Sequence, residues 1–297
     1  MMTLISLLLA LVIERVTAQT EGWRAQYHLQ RYFAWVRQQG WLTPSAEVWK
    51  IFVIGFVPAL ATALLMDVLD SSLLSLLANT VILLLCFGCP HLRAAYRGFL
   101  QASNRGDLVA CELYAQKLGH SPNENGASDT FGQQLVWLNY THYAAVLVFF
   151  TFFGAAGAVF YVSFASLIQF IQTQEQAHTK DNTQVEAASD WMKAAGTFQY
   201  WIDWLPVRIA SLGFLLVGHF ARAFSVWAGL LLDFSVSAKT LLCQVSKAAE
   251  DTEAVPIAEG ADIYSCCEEP KVLVKLAKRN MLLMVMVVSV LTLAGWL

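Results

Sequence analysis

The chain has 297 residues, is 57% hydrophobic and only 14% charged, and has a mean hydropathy of +0.51. A soluble domain is usually about 45–50% apolar and about 25% charged, so this composition excludes an ordinary soluble enzyme and a disordered protein. With 19 basic and 22 acidic residues the net charge is −3, which leaves no broad basic surface for a nucleic-acid backbone.

A membrane-spanning helix needs about 20 mostly apolar residues. The first apolar run, residues 2–13, is short and closes on Glu14 and Arg15. Val16-Thr17-Ala18 resembles a signal-peptidase site, but no Lys or Arg precedes the run. It reads as an uncleaved N-terminal helix, short or tilted. Next, Trp23, Tyr27, Tyr32, Phe33 and Trp35 alternate with Arg24, Arg31 and Arg37, the pattern of an amphipathic helix on the inner leaflet. Runs at 51–66 and 73–88, separated by the polar turn Asp67–Ser72, predict a helical hairpin. Further spans are expected at 144–171, 204–232 and 281–297. The 204–232 run contains Arg208, His219 and Arg222, so it is expected to cross by packing those groups against other helices. The fold class expected is all-α: a polytopic integral membrane protein, a bundle of five to six transmembrane helices with cytoplasmic amphipathic helices, in one integral membrane domain over 1–297.

Lys and Arg set the orientation of such a bundle. Residues 14–50, 90–143 and 233–280 are rich in them and are expected in the cytoplasm. Residues 172–203 hold only Lys180 and Lys193, and the 67–72 turn holds none, so both are expected outside. All six cysteines fall in membrane or predicted cytoplasmic segments, as reduced thiols of an inner-membrane protein would.

There is no phosphate-binding loop, no H-E-x-x-H and no G-x-S-x-G. Cys86-Phe-Gly-Cys89 ends an apolar helix and reads as buried structural thiols, and Cys266-Cys267 has no nearby His to complete a metal site. The six histidines are scattered without metal-ligand spacing. No catalytic residue and no metal site is assigned. Gly154-Ala-Ala-Gly157 fits close helix packing at least as well as a hinge or binding role.

The densest constellation is Asp203-Trp204-Leu205-Pro206-Val207-Arg208. Asp203 is placed to cap a helix, with Pro206 in its first turn and Arg208 just inside the membrane. Arg208 reads either as a snorkelling or helix-pairing cation or as a bidentate anion site. Asp203 lies five residues away, off the three-or-four spacing of a helical partner, so the expected carboxylate comes from another helix. Glu14 is the best placed, beside Arg15 at the end of the first run. Asn139 and His142 offer neutral hydrogen bonds, and Arg93 and Arg97 form a separate inner-face basic patch.

Four stretches together resemble the AmpE family: LLLALVIERV, LRAAYRGFLQASNRGDLVAC, LVWLNYTHYAAVL and DWLPVRIASLGFLLVGH. The resemblance runs along most of the chain in the same order. It implies a bacterial inner-membrane, multi-pass protein that signals in β-lactamase induction, in response to β-lactams or cell-wall fragments. Its implied partners are the lipid bilayer and a cell-wall-derived ligand or a regulatory protein, with no nucleic acid.

More distantly the chain resembles the CobD/CbiB family of cobalamin biosynthesis, membrane enzymes that form an amide bond using ATP and Mg²⁺. That family's N-W-[IL]-P-A-R-L-T motif matches Asp203–Ala210. Its E-S-x-A-E-N-x-x-D stretch falls near Val136–Ala145, which here holds no carboxylate, and its N-T-x-D-S-M stretch falls near Tyr161–Ser166. A Mg²⁺–nucleotide site needs oxygen ligands, normally carboxylates. Three functions therefore stand side by side: a signalling protein without a cofactor, an ATP- and Mg²⁺-dependent ligase, and a carrier of anionic cell-wall fragments. The ligase would need Asp203–Arg208 to face the cytosol, whereas the charge count puts them at an outer helix end. Either that chemistry is lost or 144–171 is re-entrant.

Overall fold

Apolar runs in a chain this poor in charge satisfy their backbone polar groups internally, and helices do so segment by segment. The computed structural model describes residues 2–16, 21–42, 48–69, 71–88, 90–120, 130–179, 185–250 and 265–296. Among them the regular structure is entirely helical: α1 (Met2–Val16), α2 (Ala25–Gln38), α3 (Val48–Val68), α4 (Ser72–Cys86), α5 (Pro90–Arg105), α6 (Leu108–Lys117), α7 (Phe131–Asn139), α8 (Ala145–Thr179), α9 (Val185–Val217), α10 (Phe220–Leu231), α11 (Ala238–Ala249) and α12 (Ser265–Leu293). A π-helical turn, Tyr140–Ala144, joins α7 to α8. Among the described residues, four segments are long and apolar enough to cross a membrane: Trp49–Val68, Phe131–Gln174, Lys193–Val217 and Glu268–Leu293. Ser72–Cys86 with Pro90–Arg105 is a fifth if that broken pair is one span. The protein is a polytopic helical membrane protein.

The chain divides into two compact units. The first comprises Met1–Gly88, Ala145–Leu205 and Val288–Leu297. There α1 packs on α4, while α2, α3 and α4 pack on α8. On α1, Leu4, Leu7, Ala10 and Glu14 form the buried stripe, a helical repeat that ends on a carboxylate. On α4, Asn79 and Thr80 are buried but bond carbonyls of their own helix, Ser75 and Leu76, so they carry little desolvation penalty. Gly55 lets α3 approach α8 closely, since a Cβ there would lie 2.9 Å from the Phe164 ring. The outer face of α3, with Phe52, Val53, Phe56, Val57, Leu60 and Leu64, is exposed, as a lipid-facing surface requires. α2 buries Leu29, Phe33 and Val36, sets Phe33 against Phe170, and bonds Arg37 to Gln174. Burial also pushes the Tyr32 phenol above its ordinary pKa.

The 144–171 run is not a straight span. Gly154 has φ 63° and ψ −153°, far from helical values. The Phe149 ring stacks on Tyr161 with centroids 5.3 Å apart, although twelve residues of straight helix would separate them by about 18 Å. The chain folds back on itself at Gly154. Gly157 completes the reversal: a Cβ there would sit 2.4 Å from the Phe149 carbonyl oxygen. Gly154 is thus a bend and Gly157 a close approach.

The second unit comprises Cys89–Ala144 and Pro206–Val287. α5 packs on α6 around Phe99, Ala102 and Cys111, with Asp107 capping α6 through the Ala110 amide. Thr130 and Gln133 form a reciprocal capping box that starts α7, and Thr130 donates its hydroxyl to Glu269 at 2.5 Å. α11 packs on both α7 and α10.

The 204–232 run is two helices rather than one. α9 ends at Val217, Gly218 and His219 break the helix, and α10 begins at Phe220. Trp227 on α10 donates to Ser211 on α9 (3.0 Å), and Arg208 reaches Leu231 (2.9 Å), so α10 returns antiparallel along α9. The reversal is held from a distance: the His219 amide donates to the Ala249 carbonyl at the end of α11. The first run forms a helix of only 15 residues, shorter than a comfortable crossing.

Candidate functional site

Inside the first unit lies a buried acid. Asp203 is only 1% exposed and Tyr161 3%. The Tyr161 hydroxyl donates to Asp203 Oδ1 at 3.1 Å, joining α8 to α9. Two buried serines follow on α8. Ser163 donates to the Gly55 carbonyl on α3 at 2.8 Å, and the Ser166 hydroxyl is buried without a hydrogen-bond partner. An ionisable side chain held this way within a spanning helix is costly unless bonded, and such groups mark function in membrane proteins. The expected capping role of Asp203 does not hold: α9 starts at Val185, eighteen residues earlier, so Asp203 sits mid-helix. Pro206 is likewise inside the helix and buried, not in its first turn.

In the second unit Arg208 is half-buried, and its Nε donates to the Leu231 carbonyl in the last turn of α10. A cation at a helix C-terminus is stabilised by the macrodipole, typically by about 0.3–1 kcal/mol. Ser211 donates to the Arg208 carbonyl (3.0 Å) and in turn accepts from Trp227 Nε1. Between Arg208 and Ser211, the Ala210 carbonyl accepts from Asn280 of α12 at 3.0 Å, and the Asn280 Oδ1 lies against Gly213 with no hydrogen-bond partner. Beyond α10, the Ser235 hydroxyl and amide both donate to Asp233, which holds that carboxyl below its ordinary pKa.

The remaining expected residues fall on several helices. Glu14 is buried on α1 and Arg15 beside it is exposed. Arg93 (half-buried) and Arg97 (exposed) stand one turn apart on α5. Asn139 ends α7 and His142 lies in the π-helical turn, both half-buried. Glu14 and Asp203 belong to one unit and Arg93, Arg97, Asn139, His142, Pro206 and Arg208 to the other. The backbone oxygen of Leu231 could not be read from side-chain types. Tyr161 was missed because a tyrosine in an aromatic-rich run gives no polar signal, although Tyr161–Ser166 does fall where the ligase family holds a polar stretch.

With this geometry in hand, comparison with known proteins gives one consistent result. A family profile described as "Regulatory signalling modulator protein AmpE" matches residues 2–297. "Protein AmpE" of Shigella flexneri is 26% identical over 309 aligned positions, covering 99% of each chain. No solved structure matches the chain.

Proposed function

Because this chain belongs to the AmpE family of regulatory signalling modulator proteins, we propose that it is a non-enzymatic, multi-pass regulator of a bacterial inner membrane. It tunes β-lactamase induction in response to β-lactams or cell-wall fragments, and it does so by binding an anionic ligand or partner. The observation that carries this reading is the reach of the family match, from residue 2 to 297, which takes in every helix described above. Arg208 is the residue we assign to the anion. Its planar guanidinium can engage a carboxylate or phosphate through two parallel N–H donors on separate nitrogens, a rigid fork that lysine lacks. Its Nε bond to Leu231 supports the assignment by setting the plane of that fork.

The test is induction in cells. Deleting the coding sequence is expected to change the β-lactamase activity that follows exposure to a β-lactam, and Arg208→Ala, accumulating normally in the membrane, is expected to reproduce the deletion. Unchanged induction in the deletion strain would remove the regulatory reading. Purified protein given a corrinoid acid, aminopropanol phosphate, ATP and Mg²⁺ is expected to form no amide, for want of carboxylates in Val136–Ala145. Amide formation abolished by EDTA would replace the regulator with a ligase.

A further inference from the structure

The reversal at Gly154 has a depth that its neighbours define. Phe164 lies beside Phe52 (ring centroids 5.6 Å apart), Ser163 bonds the Gly55 carbonyl, and Phe160 lies beside Phe56 (6.2 Å). The second arm of α8 therefore runs antiparallel to α3. Carried six residues further, that register sets Gly154 level with about residue 62 of α3. Trp49–Val68 is the apolar extent of α3. The bend then lies about 20 Å from the start of α3 and about 9 Å short of its end.

The first arm returns toward the side it came from. Phe149 sits against both Phe160 (5.7 Å) and Tyr161 (5.3 Å), so each arm descends from the bend toward the end of the bundle where α3 begins. At the bend, Phe152 is 58% and Phe153 68% exposed. At the same level of α3, Leu60, Leu64 and Leu65 are exposed as well. Two bulky aromatic side chains exposed at a helix reversal have no place in water. At this depth they have an apolar solvent available.

We propose that residues 145–169 form a re-entrant hairpin that enters and leaves the bilayer by one face, with its Phe152–Phe153 tip seated among lipid acyl chains. Irregular backbone within the hydrocarbon region is tolerated where protein covers it. Here Ala155 and Gly157 are buried and Gly154 is half-buried, so the bend lies against the bundle while the two phenyl rings point away from it. The hairpin has a consequence for topology. The charge count expects the 90–143 and 172–203 segments on opposite faces, because it treats 144–171 as one crossing. A hairpin leaves both on the same face. It also sets the Tyr161–Asp203 bond about 10 Å from the tip, deep in the membrane rather than at a loop end.

The experiment uses the full chain in cell membranes. Epitope tags are inserted separately into the 121–129 and 180–184 segments and probed in intact and permeabilised spheroplasts. Both are expected on one face, and tags on opposite faces overturn the proposal. Benzoylphenylalanine is placed at Phe153, at Phe152 as a second position, and at the exposed Leu64 of α3 as the reference. Phospholipid adducts at the tip are expected within about twofold of the Leu64 yield, since both sites lie in hydrocarbon. A tip yield at the background of the unsubstituted chain overturns the lipid contact. Labelling of Phe153→Cys by a membrane-impermeant thiol reagent from the face opposite both tags would mean two complete crossings, which also overturns it.

Discussion

The phenolic hydroxyl of Tyr161 donates to the carboxylate of Asp203 across 3.1 Å, and both side chains are buried between α8 and α9. The bond makes tolerable what a hydropathy scale penalises, an acid inside a spanning helix. Tyr161→Phe removes the donor and keeps the ring. It is expected to destabilise the protein by about 1–3 kcal/mol, the usual cost of stripping a hydrogen bond from a buried group. Thermal unfolding in detergent measures it. In a cycle with Asp203→Asn the two effects should couple by about 0.5–3 kcal/mol, and strict additivity would show that the bond contributes nothing.

Gly154 occupies backbone space that is essentially reserved for glycine. A Cβ at this position meets no atom within 4 Å, so Gly154→Ala tests conformation without a clash. The expected loss is about 1–3 kcal/mol. Gly196→Ala, on α9, with equally open space and a helical backbone, should be neutral or mildly stabilising. Equal behaviour of the two variants in the same unfolding assay would mean that the bend is not required.

A different glycine governs the approach of α12 to α9. A Cβ on Gly213 would lie 2.0 Å from Asn280 Oδ1, while Asn280 Nδ2 is bonded to Ala210. Gly213→Ala should cost about 1–3 kcal/mol through overpacking. Asn280→Ala in the same chain removes the obstructing amide and should restore part of that loss. A double variant that is worse than either single one would rule out this contact as the cause.

Arg208 holds the end of α10 through its Nε, an atom that lysine lacks. Arg208→Lys is therefore expected to impair β-lactamase induction nearly as much as Arg208→Ala, with both proteins accumulating in the membrane. Full function in Arg208→Lys would leave only its charge as relevant. Full function in Arg208→Ala would make it a helix-end anchor.

Some of this architecture is legible in one dimension. Residues 51–66 and 73–88 are apolar for a helix's length and are divided by Asp67–Ser72, and they fold as α3 and α4. Trp23–Arg37 mixes aromatic and basic residues as an amphipathic helix does, and α2 buries one face, Leu29, Phe33 and Val36, while Tyr27 and Trp35 stay exposed. Membrane class and helical content follow from such local patterns, because the hydrophobic effect acts on each residue wherever its neighbours lie. Arg208 stood out for the same reason: a charge inside an apolar run is visible without any knowledge of the fold.

Direction was not legible, because a helix reverses for reasons that lie elsewhere in the chain. The 204–232 run reads as one span, yet it turns at Gly218-His219, where the amide of His219 is taken up by Ala249, thirty residues later. The 144–171 run reads as another, yet Gly154 folds it so that Phe149 meets Tyr161. Asp203 reads as a cap because Pro206 follows it, yet α9 begins far upstream and the acid is instead met by a phenol forty-two residues away. Hydropathy reports how much apolar chain must leave water. Only packing between distant segments decides where that chain bends, which partner a buried charge finds, and therefore how many of its apolar runs are crossings.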